Sequence, residues 1–323
     1  RTLCLLGILA CGLTGLLSVP LLALLGFVGA CGTVTYSVAA PAMVPSLVSA
    51  ANLAKANARI ELARTCAFAA GPALAGVLVG WISADPAFAG AALLSATAAM
   101  LLAGLREPAR AQRAPRHPLH DLCEGAAFVF GHPLLLPVFL TQFIFGVAFF
   151  MLQAVYVPYA AAHLGLTAAG IGMTLAAYGV GMIIGVLSAP RIMRRLRFGL
   201  VTAIGPVTGF AAATVMASTI WLPSAWLAGA SFFLMGAGPI LWVISTTTLR
   251  QSVTPQDLLG RASAINTLAY GARPLGAALG ALVGGLWGSE TCLIAAAIGF
   301  LIQAALILVS PVCRLTRQPA LAG

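Results

Sequence analysis

Long apolar stretches alternate with short basic clusters along the whole chain. Residues 2–54 hold no Asp, Glu, Lys or Arg; 65–105 hold only Asp85; 125–190 and 198–249 hold none; 262–313 hold only Arg273 and Glu290. Each stretch accommodates two helices of about 20 residues, the length that crosses about 30 Å of hydrocarbon. A bilayer leaves no water for unpaired backbone groups, and no stretch alternates apolar and polar positions as a barrel strand would, so the spans are helices. The pattern predicts ten of them, at 2–18, 21–46, 60–82, 87–105, 135–161, 168–189, 199–221, 225–248, 262–286 and 291–311.

One long polar break, 106–133, is rich in Arg, Pro and His. It divides the chain into a four-span amino-terminal part (1–105), a linker (106–133) and a six-span carboxy-terminal bundle (134–323). Within the linker, Leu119, Leu122, Ala126 and Val129 recur at helical spacing, which predicts an amphipathic helix lying along the membrane surface. If each stretch is an out-and-back hairpin, the tips fall near Pro20, Asp85, His163 to Thr167, Pro223 and Ser289. None of these tips holds Lys or Arg, whereas the basic clusters all lie at the opposite ends. Basic loops stay on the cytoplasmic side, so the expected topology has ten spans, both chain ends inside, in a cell (inner) membrane.

Composition agrees: 61% of residues are hydrophobic and 7% charged, with a mean hydropathy of +1.02. A soluble domain of ordinary composition looks quite different. The formal charge of +10 resides between spans rather than along one soluble face, which points to anionic lipid head groups and away from nucleic acid. The seven cysteines form no C-x-x-C pair, and those within spans read as small buried hydrophobes.

Several short motifs resemble one family. Glu124-Gly125-Ala-Ala-Phe128-Val129, followed by His132-Pro133-Leu-Leu, is similar to the central loop of the exporter branch of the major facilitator superfamily that includes siderophore and macrolide efflux proteins. Pro41-Ala42-x-x-Pro45-x-Leu47-Val48 with Leu53-Ala-Lys-Ala56-Asn57-Ala58 resembles that branch's fourth-helix exit and the loop into the fifth. Thr254-Pro255-Gln-Asp257-Leu-Leu-Gly260-Arg261-Ala-Ser263 resembles the loop between its tenth and eleventh helices. The resemblance covers essentially the whole chain and implies an all-α polytopic fold, with the ten spans matching family helices three to twelve and the first two helices lacking. It also implies a monomer that exports a small amphipathic molecule by proton antiport.

Internal echoes follow from the two-fold repeat on which such transporters are built. Gly71-Pro72-x-x-Ala75-Gly76 in the third span resembles the antiporter signature, with Ala75 where the family has Gly. Pro274-x-Gly276-x-x-x-Gly280 in the ninth span repeats its pattern of Pro followed by small residues, which lets helices approach closely. Gly185-x-x-x-Ala189-Pro190-Arg191-x-x-Arg194-Arg195 echoes the family's Gly-x-x-x-Asp-Arg loop with alanine in place of the acid.

Charge inside hydrocarbon is costly unless it meets a cavity or a partner. Arg273 lies three helical turns past Arg261, about 18 Å deeper. It faces either a substrate cavity or the carbonyls freed by Pro274. Asn266, Tyr270 and Arg273, spaced by four and three, would share one helical face. Tyr36, Gln142, Gln153, Tyr156 and Trp242 are further candidates for a cavity lining, on spans that the resemblance aligns with cavity-facing helices. Glu61 and Arg64 are placed for an i,i+3 ion pair, read either as a local interfacial pair or as a gate contact. No carboxylate falls mid-membrane.

Enzyme chemistry finds little support. Neither a G-x-x-x-x-G-K-[ST] loop nor a G-x-S-x-G elbow occurs, and the chain has one lysine, Lys55. His117-x-x-His120-x-x-Cys123 has a ligand-like composition, but Pro118 interrupts its helical spacing, so neither a metal nor another cofactor is expected. The alternatives to export are import by the same fold, or a non-transporting scaffold or membrane-embedded transferase. A transferase would need a cluster of acids or histidines that is missing here.

Overall fold

Helix is the only regular structure among the described residues of the computed structural model, which are 1–16, 18–81, 84–104 and 118–319. In chain order the helices are α1 (Thr2–Leu13), α2 (Val19–Leu47), α3 (Ala50–Trp81), α4 (Ala84–Ala103), α5 (Pro118–Gly131), α6 (Leu135–Ala162) and α7 (Ala168–Arg195). They continue with α8 (Phe198–Ser218), α9 (Ala225–Ala237), α10 (Pro239–Val253), α11 (Leu259–Leu268), α12 (Ala272–Trp287) and α13 (Ser289–Val309). Seven helical segments among the described residues are long and apolar enough to cross a membrane, fewer than the ten expected.

Helix occupies all ten expected segments, and its boundaries differ from those expected in several places. The first helix is only 12 residues long. The third starts at Ala50, ten residues before the expected boundary, because the basic run through Lys55, Arg59 and Arg64 contains no Gly or Pro to stop it and is itself helical. The expected eighth span is divided at Gly238 and Pro239, although the apolar stretch Ala225–Val253 stays long enough to span. Pro239 has no N–H to donate, so the α-helical ladder restarts there. The expected ninth span is interrupted by a 3-10 turn at Ala269–Gly271, and neither half is long enough alone.

Two compact units are present: Arg1–Leu47 with Cys66–Pro115, and Val48–Thr65 with Arg116–Gly323. In the first unit α1 packs on α4, and the Thr2 hydroxyl donates to Ser95 Oγ at 3.0 Å. Residues 48–65, expected with the amino-terminal bundle, pack with the second unit instead.

Small residues set the packing of the second unit. A Cβ on Gly280 would stand 2.7 Å from the Met151 carbonyl oxygen and 2.9 Å from Ala154 Cβ, and one on Gly276 would meet Val147 Cα at 2.9 Å. The expected small-residue stripe after Pro274 is therefore the seam between α12 and α6. Close approach maximises dispersion contacts, which must supply association where lipid is as apolar as the side chains. Gly181 and Gly185 on α7 do the same against α9, with Gly236 answering from α9. Meanwhile Met173, Trp226, Leu286 and Val309 are each at least 64% exposed, an apolar outer surface suited to a bilayer.

The hairpin tips of this unit meet. His163 Nδ1 lies 3.3 Å from Glu290 Oε1, His163 Nε2 lies 3.2 Å from the Ile220 carbonyl, and Tyr159 and Thr219 share a 2.8 Å hydrogen bond. At the basic end, Asn57 Nδ2 donates to Thr248 Oγ1 at 3.0 Å and to Gln251 Oε1 at 2.6 Å, all three buried.

The apolar stripe of the linker helix is covered only in part: Val129 is 4% exposed and clusters with Leu135, Ala262 and Ile265, and Ala126 packs against that cluster, while Leu122 is 37% exposed. The covered end packs against α11, which removes it from water within the protein. The residues 105–117, including His117, lie outside the described residues.

Candidate substrate site

An aromatic ladder on α6 organises the polar residues of the second unit. Gln142, Phe145, Phe149 and Gln153 follow one another at spacings of three and four, which puts them on one helical stripe. Phe145 and Phe149 stack with centroids 5.5 Å apart. Phe145 also meets Trp242 of α10 at 5.7 Å, and Phe149 meets Tyr178 of α7 at 5.6 Å. Phe150 receives the Arg273 guanidinium of α12, 5.6 Å from its ring centroid. A guanidinium over a ring face is attracted by the ring quadrupole.

Tyr178 links this ladder to α3. Its hydroxyl lies within electrostatic range of Arg64, Arg273 and Glu61. Glu61 and Arg64 form the local i,i+3 pair, with Arg64 Nε donating to both carboxylate oxygens at 3.0 Å. The arrangement therefore has aromatic faces, two guanidinium groups and one carboxylate already paired. It can bind an aromatic or amphipathic molecule with anionic groups, and it has no nucleophile or acid–base pair poised for bond making.

The expected lining residues divide accordingly. Gln142, Gln153, Trp242 and Arg273 belong to the ladder or touch it. Trp242 is 3% exposed and its indole N–H is without a hydrogen-bond partner. Tyr156 is 1% exposed, packed edge-on against Phe232 at 4.6 Å, with its hydroxyl bonded to Thr174. Those contacts bury it between α6, α7 and α9. Tyr36 is 55% exposed on α2 of the first unit. The stripe expected for Asn266, Tyr270 and Arg273 is interrupted by the 3-10 turn at Ala269–Gly271. Asn266 ends up on α11 and Arg273 on α12, while the Tyr270 side chain lies outside the described residues. So do the surroundings of Gly71, Pro72 and Gly76, whose backbone is helical within α3.

Phe145, Phe149, Phe150 and Tyr178 were not singled out from sequence. For the three phenylalanines the signal lies in the aromatic spacing of α6, but an aromatic stripe in a span is ordinarily packing; Tyr178, on α7, has no such signal. The loop motifs gained a second role. Arg261 is held between Asp121 and Glu124, with Nη2 to Asp121 Oδ1 at 2.7 Å and Nη1 to Glu124 Oε2 at 2.8 Å. His120 lies with those two acids in an arrangement whose ligand atoms fall within 4.8 Å of one another. The Arg261 guanidinium already supplies the positive charge that a metal would bring, in keeping with a structural clasp.

At the end of the linker, His132 Nδ1 accepts the Leu134 N–H at 3.2 Å, and burial holds the imidazole pKa below its ordinary value. Desolvation disfavours the charged form.

Comparison with known proteins adds an independent line. The profile described as Major Facilitator Superfamily matches residues 1–273. The enterobactin exporter EntS of Citrobacter koseri is 30% identical over 289 residues, covering 86% of this chain. This chain spans 66% of that relative's length. The crystal structure of a bacterial homologue of the iron transporter ferroportin, in an outward-facing state, superposes with a TM-score of 0.70 over 89% of this chain and 71% of that one, at 15% identity. At that identity the likeness concerns the fold alone.

Proposed function

The chain belongs to the Major Facilitator Superfamily, and from that premise we propose that it exports a small amphipathic molecule, a drug, siderophore or metabolite, by alternating access coupled to proton antiport. Two helical bundles rock about a midplane site that opens to each side in turn. The observation that carries the reading is the Arg273 guanidinium over Phe150 beside the ladder of Phe145, Phe149 and Tyr178. Aromatic faces and fixed cations together suit an anionic, ring-bearing solute, and enterobactin is what the name of the Citrobacter koseri relative records for that protein.

In this reading Gln142 and Gln153 contribute hydrogen bonds at the two ends of the α6 stripe, and the Glu61–Arg64 pair adjoins the substrate path. Tyr36, Asn266 and Tyr270 remain candidates for further contacts, and Gly71, Pro72 and Gly76 for the packing that lets the bundles move. The protein acts as a monomer in the inner membrane, with its basic clusters toward the cytoplasm and in contact with anionic lipid.

The test is accumulation of radiolabelled enterobactin in inverted and right-side-out vesicles with an imposed proton gradient. Export predicts gradient-dependent uptake into inverted vesicles, abolished by a protonophore. Uptake confined to right-side-out vesicles would establish import, and no uptake in either orientation for any amphipathic anion would overturn the reading.

A further inference from the structure

The basic end of the second unit contains a cavity that the transport reading does not use. It has a volume of about 630 Å³ and is bordered by Lys55 of α3, Arg194 of α7 and Arg317 of the carboxy-terminal tail. Three cations converge on one hollow, and no described lining residue carries a carboxylate. No acid occurs on α7 at all. Like charges gathered at one hollow favour an anionic occupant.

The rest of the lining shows what kind of anion fits. Asn52, Thr316 and Gln318 add polar groups at the rim, while Ala58, Met193, Phe198 and Val201 provide an apolar wall. Val201 and Ala58 are themselves buried core residues, so the wall runs into the interior of the bundle. The amino terminus of α8 opens here too, although its first two amides are occupied: Phe198 N–H donates to the Thr316 carbonyl at 3.4 Å and Gly199 N–H to that of Leu315 at 2.8 Å. Those bonds hold the tail across the helix end. Gln318 Nε2, bonded to Ser252 Oγ at 3.1 Å, fixes it from the other side. Arg317 thereby becomes part of a formed wall.

We propose that this cavity binds the phosphate of an anionic phospholipid, with Lys55, Arg194 and Arg317 as its cationic contacts and the apolar wall receiving the first methylenes of an acyl chain. A lipid is favoured over a soluble phosphate ester by that wall, and by the position of the cavity at the ends of apolar spanning helices. Basic pockets between spans are recognised sites for anionic head groups. The inference goes beyond the transport reading and stands independently of which solute is carried.

The purified protein in neutral detergent is titrated with phosphatidylglycerol or phosphatidylcholine, and retained lipid is counted by native mass spectrometry. Phosphatidylglycerol is expected to be preferred, and the preference to fall about fivefold for each of Lys55→Gln, Arg194→Gln and Arg317→Gln. Arg59→Gln and Arg191→Gln, which neutralise exposed cations on the same helices outside the cavity, should leave it unchanged. Equal losses in both sets would mean diffuse attraction and overturn the site, as would no loss in either. A second measurement needs no variant. Lys55 is the sole lysine, so its acetylation is read from one peptide; phosphatidylglycerol should slow it, and sn-glycerol 3-phosphate at the same concentration should not. Equal protection by both would overturn the lipid assignment in favour of a soluble phosphate ester, and protection by neither would eliminate the site.

Discussion

Arg261 reaches from α11 to Glu124 on α5, Nη1 to Oε2 at 2.8 Å, and so fastens the linker helix to the carboxy-terminal unit. Gly125 makes the approach possible: a Cβ there would stand 2.9 Å from Arg261 Cβ and 3.0 Å from its carbonyl carbon and oxygen. With the Arg261 side chain 16% exposed and its acidic partners 35%, the clasp is neither buried nor fully screened.

Breaking that clasp should loosen the linker before it unfolds the bundle. Glu124→Gln and Arg261→Gln are each expected to cost about 1–2 kcal/mol, with a double mutant less destabilised than the sum. Gly125→Val should exceed either, since backbone must move. Limited proteolysis of the linker, read against thermal unfolding in detergent, separates the two effects; additive losses would show that the residues act independently.

The seam between α6 and α12 should be intolerant of bulk. Gly276→Val and Gly280→Val place branched carbons where Val147 and Met151 backbone already stands, and overpacking of this kind costs about 1–3 kcal/mol or more. Gly285, with no neighbour within 4 Å of its built Cβ, should accept Ala without loss. Yield of monodisperse protein and its melting temperature report the contrast, and equal tolerance at all three would refute the seam.

Arg273 should matter to transport more than to folding. Arg273→Ala is expected to lower solute transport by roughly 2–5-fold, the equivalent of about 0.5–1 kcal/mol of cation–aromatic attraction at an exposed site. Phe150→Leu should reproduce part of that loss, because it removes the ring and keeps the bulk. Transport rates normalised to folded protein are the readout. Should Arg273→Ala leave transport intact but lower the melting temperature, the residue is a structural arginine.

Stability should fall on the acid side through His132. Its folded pKa is held below the ordinary 6.5 by burial, so the unfolded chain binds the proton first. The contribution of the neutral imidazole is thus fully present above 6.5 and is lost as pH falls from there through the lower folded value. Between about pH 8 and pH 5, the wild-type melting temperature should drop more steeply than that of His132→Asn, whose side-chain oxygen can still accept the Leu134 N–H. Parallel curves would remove His132 as the source.

The membrane-spanning character, the helical class and the small-residue packing stripe were all legible in the chain, because each depends on composition or spacing within one segment. Gly276 and Gly280 announce a close helix seam by their interval alone. What they could not announce is the partner, since many spans offer an apolar face of similar width. The candidate site was legible only in part. Arg273 and Trp242 stood out by residue type, yet the stripe drawn from Asn266 to Arg273 assumed an unbroken helix, and the 3-10 turn between them responds to packing around α6. Tyr156 and Tyr178 are both tyrosines in apolar spans; one is sealed by Thr174 and Phe232, the other meets charges on two further helices.

Local chemistry thus dictated which segments must leave water and that they must be helical, because an unpaired backbone group in hydrocarbon has no other remedy. Tertiary packing dictated which of the few polar groups face one another. Lys55, Arg194 and Arg317 are far apart in sequence and border one cavity; Asp121, Glu124 and Arg261 are separated by a whole bundle of helices and form one clasp. Such pairings depend on distances of a few ångströms between elements whose order along the chain carries no information about their rotation against one another.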